Sequence, residues 1–198
     1  MISFHYEDLH GGIVVGVDEA GRGPWAGPVV AAAVILDRRN FPMGLNDSKK
    51  LGEPARDRLH GELLGCARHG IGMASVAEID TLNIHWATML AMERAVAALG
   101  CAFDHVLVDG NRLPRWSHLS TAIVEGDGKS FSIAAASIIA KVNRDRLMRD
   151  LDDECPGYGW ARNKGYGTVL HQRGLADLGV SAHHRCSFAP VRVRLANL

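Results

Sequence analysis

The sequence predicts an α/β domain built on a mixed sheet, and three observations carry that expectation. Val- and Ile-rich apolar runs dominate the first part of the chain, whereas long helical patterns come later. The first two runs are joined by only ten residues, "DEAGRGPWAG", too few for a parallel crossover, so they form an antiparallel pair. Three of the apolar runs end in acids, which would gather carboxylates at one edge of the sheet if those strands are neighbours.

Taken in order, residues 13–17 (IVVGV) and 28–36 (PVVAAAVIL) read as buried strands, because they are continuous rather than alternating. Their connection has three glycines and a proline in ten residues, the composition of a tight, shaped turn. Residues 71–77 (IGMASVA) form a third strand. Residues 83–99 have helical periodicity through Ile84, Met89, Val96 and Leu99, and Gly100 stops the helix. "HVLVDGN" (105–111) is a short strand ending in an acid and a turn, and "TAIVEGD" (121–127) repeats strand, acid, Gly, acid. Residues 130–151 make a long Ala/Ile-rich helix with a charged far end. Beyond Pro156 the chain turns Gly- and aromatic-rich, then enters a short helix at 168–178 and an irregular tail.

The 198 residues suit one domain, and 47% hydrophobic with 22% charged residues is the balance of a globular core. No apolar run approaches the ~20 residues that cross a bilayer. The N-terminus lacks a basic region followed by an apolar one, so no secretory signal is expected. Cys66, Cys101, Cys155 and Cys186 are far apart and form no CxxC pair, which favours free thiols in a reducing compartment, the cytoplasm by default. The net charge of zero hides an asymmetry. Residues 129–198 hold 11 Lys+Arg against 6 Asp+Glu, and residues 1–128 hold 11 against 16. That division suits a metal-binding centre beside a polyanion-binding surface, although solvated helix faces produce the same count.

An Asp at a strand end is commonly a turn-former. Several such ends in one sheet bring carboxylates together, and like charges so close need a cation to stay ionised. A histidine-free oxygen set selects Mg²⁺ or Mn²⁺ rather than zinc. Two such ions roughly 3.5–4 Å apart serve phosphodiester hydrolysis. In the turn "GRG" (Gly21, Arg22, Gly23) the glycines let backbone approach a ligand, and backbone groups can contact a ribose 2′-hydroxyl without regard to base. Hairpin geometry alone also explains such a turn.

The stretches "GVDEAGRGPWAGPVVAAAVIL", "LNDSKKL", "VDGN", "EGDGKSFSIAAASIIAKVNRDR", "NKGYGT" and "HHRCSF" follow in the order and at the spacing of bacterial ribonuclease HII (type 2 ribonuclease H), which the chain resembles over roughly residues 12 to 190. The resemblance implies a ribonuclease H-like mixed five-stranded sheet flanked by helices. It implies a single catalytic domain over 1–198, with a C-terminal helical extension over about 155–198 that binds substrate. The implied activity is hydrolysis of the RNA strand of RNA/DNA hybrids and nicking 5′ to single ribonucleotides in duplex DNA. Two metal ions, Mn²⁺ or Mg²⁺, would assist, leaving 3′-hydroxyl and 5′-phosphate ends.

Residue by residue, the resemblance assigns Asp18, Glu19, Asp109 and Asp127 as catalytic metal ligands. It assigns the backbone of Gly21, Arg22 and Gly23 to the 2′-hydroxyl, and Tyr166 to the deoxyribose beyond an RNA–DNA junction. Lys49 and Lys50 become phosphate contacts. A subset of Arg144, Arg146, Arg149, Lys164, Arg173 and Arg185 would track the duplex backbone. Ser130 would cap the long helix, whose amide end would help bind a phosphate. Glu125 matches no ligand of that family, but two residues before Asp127 on an extended strand it would share its side. Two positions depart from the pattern: Gly167 stands where Pro usually follows the tyrosine, and Trp25 where an aliphatic residue is common. The expected partners are RNA/DNA hybrid duplex and ribonucleotide-containing DNA, bound by a monomer with no membrane contact. The tail "VRVRLANL" offers no clear docking peptide for a replication clamp.

Three other readings compete: a zinc hydrolase on His183, His184 and Cys186, a non-catalytic nucleic-acid-binding module, and another nuclease or transposase on the same fold. Adjacent histidines on a strand point to opposite faces, against the first. The four acids speak against the second, and the GRG turn against the third.

Overall fold

A computed structural model describes residues 2–196. In chain order the elements are α1 (His5–His10), β1 (Val14–Ala20), β2 (Val29–Ile35), α2 (Glu53–Cys66), β3 (Arg68–Ala74), α3 (Val76–Ala97), β4 (His105–Asp109), β5 (Ser120–Ile123), α4 (Phe131–Glu154), α5 (Trp160–Asn163), α6 (Val169–Leu178) and α7 (Ala189–Ala196). The five strands form one mixed sheet in the order β3-β2-β1-β4-β5. The β1–β2 and β2–β3 pairs are antiparallel, whereas β4 and β5 join parallel to β1. The mixed sheet with flanking helices and a helical C-terminal region matches the sequence expectation.

Both faces of the sheet are covered, which is why its central strands read as unbroken apolar runs. Val15, Val17, Ala31, Ala33, Val106 and Val108 pack with α3 on one side. Ala32 and Val34 pack with α2 and α4 on the other, against Leu59, Leu63, Ile138 and Ile139. Each fully buried Val, Leu or Ile contributes about 1.5–3 kcal/mol relative to exposure. A further cluster of Ala26, Met148, Tyr158, Trp160 and Leu175 docks the C-terminal region onto α4 and the β1–β2 connection.

Several boundaries differ from the sequence reading. The strand expected over 71–77 starts at Arg68 and ends at Ala74. Ser75 instead caps α3: its hydroxyl accepts from the Glu78 amide at 3.2 Å, and Glu78 accepts from the Ser75 amide at 2.8 Å. The helix expected from residue 83 is the second half of α3, which breaks at Asn83 (φ 68°) and restarts under the cap of that side chain. Helices α1 and α2 were not foreseen. The irregular tail contains α7, and the last two residues of "VRVRLANL" lie outside the described ones. Among the described residues no helix is long and apolar enough to cross a membrane.

The strand expected over 121–127 stops at Ile123, and Gly126–Gly128 form a 3-10 turn. Glu125 is left-handed (φ 55°), so Glu125 and Asp127 do not share one side of an extended strand. Ser130 does cap α4, accepting from the Ile133 amide at 3.2 Å. Its hydroxyl also donates to Glu7 Oε1 at 2.7 Å, and the Ser132 amide donates to the same oxygen at 3.0 Å. The α4 amide end is thus closed by a buried carboxylate of this chain, not open to a phosphate.

Candidate active site

The four expected acids converge at the carboxyl ends of β1 and β4. Parallel pairing sets Val17 opposite Val108, so the next step along each strand brings up Asp18 and Asp109. Asp109 Oδ1 accepts from the Gly126 amide at 2.6 Å, which ties the turn carrying Asp127 to the end of β4. Asp18, nearly buried, accepts from the Glu19 amide at 2.6 Å. Burial, then the charges of Glu19, Asp109 and Asp127, push the Asp18 carboxyl well above the usual carboxylate range. Glu19 is raised by burial, against the pull of Arg22, whose guanidinium lies 3.3 Å from Glu19 Oε1. Asp127 is raised by burial and then by Asp109 and Asp47.

Protein cations offset little of this. Lys49 Nζ is 3.6 Å from Asp127 Oδ2. Burial lowers the Lys49 ammonium, but Asp127, Asp18, Asp47 and Asp109 together hold it above its ordinary value. Lys50 Nζ is 3.9 Å from Asp47 Oδ2 and pairs with none of the four acids within salt-bridge distance. Mutually repelling carboxylates, all oxygen donors on a half-open edge, fit a hard divalent cation. Among the described residues no three His, Cys, Asp or Glu side chains already close into a cage. Asp47 is a fifth acid here that the sequence reading passed over as part of a lysine motif. With Lys49, Lys50, Asp109, Glu125, Asp127 and Lys129 it lines a cleft of about 480 Å³. The Asp47–Lys50 loop is pinned to α4 by Ser48 Oγ and Ser137 Oγ, 2.7 Å apart.

A second cleft, about 240 Å³, shares Lys49 with the first and is lined by Glu19, Gly21, Arg22, Gly23 and Tyr166. Gly21 has φ 98°, and a Cβ there would strike the Arg144 side chain, so only glycine fits. Gly23 lies beside Tyr166, whose ring is half exposed: a Cβ on Gly23 would stand 3.2 Å from Tyr166 Cε1. Lys49 thus lines both clefts, with Asp109 and Asp127 in one and Glu19, the Gly-rich turn and the tyrosine in the other.

A model of the family Ribonuclease HII matches residues 15–191. The chain belongs to the ribonuclease HII family. It is 61% identical over 189 residues to Ribonuclease HII of Rhizorhabdus wittichii, covering 96% of this chain and 94% of that one. Among solved structures, ribonuclease H2 from Pyrococcus horikoshii OT3 superposes with TM-score 0.74 at 25% identity, over 93% of this chain and 97% of that one. Bst-RNase HIII in complex with Mn²⁺ superposes with TM-score 0.78 at 19% identity, over 96% of this chain and 71% of that one, a likeness of fold alone. Membership in ribonuclease HII makes this chain a hydrolase that cleaves RNA in RNA/DNA hybrids.

The two departures from the ribonuclease HII pattern explain each other. Gly167 lies flat on the Trp25 indole, and a Cβ on it would stand 2.1 Å from Trp25 Cζ2. Trp25 fills the space a larger residue at 167 would take, and its ring also packs on His171 at 5.5 Å between centroids. The basic residues need a correction. Arg144 and Arg185 are buried and donate to backbone carbonyls, so they do not track a duplex. Arg149 pairs with Glu53 at 2.6 Å and Arg146 with Asp57 at 3.5 Å, both on α2.

The residues of the zinc alternative do not converge. His184 Nε2 is 3.0 Å from His171 Nε2, His183 approaches Glu154 at 3.4 Å, and the exposed Cys186 donates its amide to Asp80 at 2.9 Å. The hydrogen bonds assign both buried imidazoles. His184 Nδ1 accepts from the Ser181 amide at 3.0 Å, so Nε2–H donates to His171 Nε2. Trp160 Nε1–H donates to that same nitrogen at 3.2 Å, and His171 Nδ1–H donates to the Tyr166 carbonyl at 3.0 Å. This chain of neutral rings holds the backbone of Tyr166. Burial, then the neighbouring His171, lowers His184 to about 4, and burial lowers His171. The unfolded chain therefore takes up these protons first, so this contribution to stability is complete above the ordinary histidine value of ~6.5 and is lost as pH falls toward about 4. In an NMR titration the His184 ring is expected to keep neutral-imidazole shifts at pH 5.5, and His171 to titrate below the ordinary histidine value. Midpoints at or above 6.5 would contradict the network.

Proposed function

We propose that this chain nicks RNA/DNA hybrids and single ribonucleotides in duplex DNA on the 5′ side of the ribonucleotide, by two-metal-ion phosphodiester hydrolysis that leaves 3′-hydroxyl and 5′-phosphate ends. The observation carrying this reading is the convergence of the repelling carboxylates of Asp18, Glu19, Asp109 and Asp127 beside two clefts that share Lys49, one of them lined by the Gly21–Gly23 turn and Tyr166. The four carboxylates would hold Mg²⁺ or Mn²⁺, and the ions, when bound, supply charge neutralisation and an activated water.

The chain's own residues then have distinct roles. Asp18 and Asp109, on adjacent strands of a packed sheet, fix the distance between ligands from two elements. Asp127 joins them through the turn anchored on Asp109. Lys49, at the junction of both clefts, presents its ammonium to a substrate phosphate once cations occupy the acids. Lys50, on the rim of the first cleft, adds a salt-sensitive backbone contact. Arg22 and Gly23 offer amides to the 2′-hydroxyl, and the Tyr166 ring closes the groove against the following sugar. Residues 155–198 belong to the same catalytic domain and complete the substrate surface.

Paramagnetic relaxation of water by Mn²⁺ tests the metal site without turnover. Titration of the wild type is expected to show bound Mn²⁺ with an affinity that falls at least tenfold in Asp18→Asn. Equal affinity in both would place the ion elsewhere.

A further inference from the structure

Arg185 is fully buried, and among the described residues it meets no carboxylate within salt-bridge distance. Its guanidinium donates only to main-chain carbonyls: Gly21 at 2.6 Å, Arg22 at 3.0 Å, Gly27 at 2.9 Å and Pro28 at 3.2 Å. Burial, then the neighbouring Arg144, lowers it to about 9. A buried unpaired cation is costly, and an apolar side chain of the same volume commonly fills such a space better. Its five donors in a rigid fork do what no apolar residue can: they fix which way several carbonyls point.

That direction matters because of peptide geometry. In a planar trans peptide the carbonyl of one residue is antiparallel to the N–H of the next, and no cis bond occurs among the described residues. Drawing the Gly21 and Arg22 carbonyls inward onto Arg185 turns the Arg22 and Gly23 N–H groups outward. Both residues are exposed, and neither amide finds an acceptor among the described residues. Gly23 is the residue beside Tyr166. Arg144 buttresses the same connection through the Ala26 and Pro28 carbonyls, at 3.1 and 3.0 Å, and through Lys164 O at 3.0 Å.

We propose that Arg185 is the positioning residue for ribose recognition, aiming the Arg22 and Gly23 amides at the 2′-hydroxyl oxygen by holding the two preceding carbonyls. The proposal rests on reading the Gly21–Gly23 turn as the ribose contact, and the test separates the two. Fluorescence anisotropy in EDTA compares two duplexes that differ only in one ribonucleotide, with wild type, Arg185→Met and Arg185→Lys, each checked for folding by circular dichroism. The wild type is expected to favour the ribonucleotide duplex. Both variants are expected to lose on the order of fivefold to tenfold of that preference, the worth of one or two hydrogen bonds, with affinity for the all-DNA duplex unchanged. Lys keeps the charge but gathers its three donors on one nitrogen of a flexible stem, without the rigid fork that reaches the Gly21 and Arg22 carbonyls from two nitrogens.

A folded variant with the full preference overturns the role of Arg185 and leaves the turn's reading standing. A wild type that binds both duplexes equally overturns both. Should Arg185→Met fail to fold, Arg185→Lys carries the comparison. In the wild type, the Arg22 and Gly23 amides are expected to exchange rapidly with solvent when free and slowly with the ribonucleotide duplex bound. Rapid exchange in both states also overturns the proposal.

Discussion

Asp109→Asn is expected to lower single-turnover cleavage on the order of 10³-fold or more while leaving the melting temperature unchanged or higher. The asymmetry follows from what this side chain does. Its Oδ1 accepts from the Gly126 amide at 2.6 Å, and an asparagine carbonyl oxygen can keep that bond, so the turn carrying Asp127 stays in place. What disappears is one negative charge among repelling carboxylates, one of those that push Asp18 upward. Removing it relieves repulsion in the free protein and weakens the hold on a divalent cation. Metal-ion stabilisation contributes several kcal/mol to such reactions, and each ~1.4 kcal/mol is tenfold in rate. A melting curve with a single-turnover assay on a hybrid duplex checks both halves. A variant that cuts at the wild-type rate would remove Asp109 from the chemistry. One that is inactive because it has unfolded would remove the argument for it.

Gly167→Pro is expected to destabilise the protein by about 1–3 kcal/mol in the natural background, the usual cost of overpacking. Most of that cost should vanish when Trp25 is replaced by Val. No main-chain hydrogen bond is donated by the Gly167 amide among the described residues, so proline deletes none there. The obstacle is the indole, whose Cζ2, Cε2 and Cη2 would stand 2.1–2.4 Å from a Cβ. A double-mutant cycle by urea denaturation is expected to give a coupling of at least ~1 kcal/mol, as contacting residues do. Additive effects would mean that the two departures from the family pattern are unrelated. In the proposed function the loop also contacts substrate: Gly167 follows Tyr166, and His171 holds the Tyr166 carbonyl. Gly167→Pro alone should therefore raise the KM for junction substrates more than it lowers kcat.

The sheet and the presence of acids at its strand ends were legible because both leave local signatures, whereas the choice of Asp18, Glu19, Asp109 and Asp127 among those acids came from the family resemblance. Strands covered on two faces are continuous apolar runs, and an acid at the end of such a run stands out. The "DEAGRGPWAG" connection forced the antiparallel pair that the structure shows between β1 and β2. Misplaced boundaries arose where a cap overrode a pattern. Ser75 follows β3 directly and looks like strand until its reciprocal bonds with Glu78 are known. Glu125 reads as a strand residue two places before the end, but its left-handed backbone turns Asp127 back toward Asp109. Side chains whose partners are distant in sequence stayed hidden. Arg144 and Arg185 count as surface charge in any composition, because nothing local says that a lone arginine will be buried on carbonyls more than 100 residues away. Asp47 was overlooked because its neighbours are lysines. Trp25 and Gly167 looked like two oddities until they were found in contact.

The most direct test of the whole account is to present the wild type with two duplexes identical in sequence, one all-DNA and one with a single embedded ribonucleotide, in Mg²⁺ or Mn²⁺, and to map the ends. One nick 5′ to the ribonucleotide is expected, leaving a 3′-hydroxyl and a 5′-phosphate, with the all-DNA duplex intact and no cleavage in EDTA. Cleavage of both duplexes at similar rates, or cutting that persists without a divalent metal, would contradict the assignment of carboxylates and turn alike.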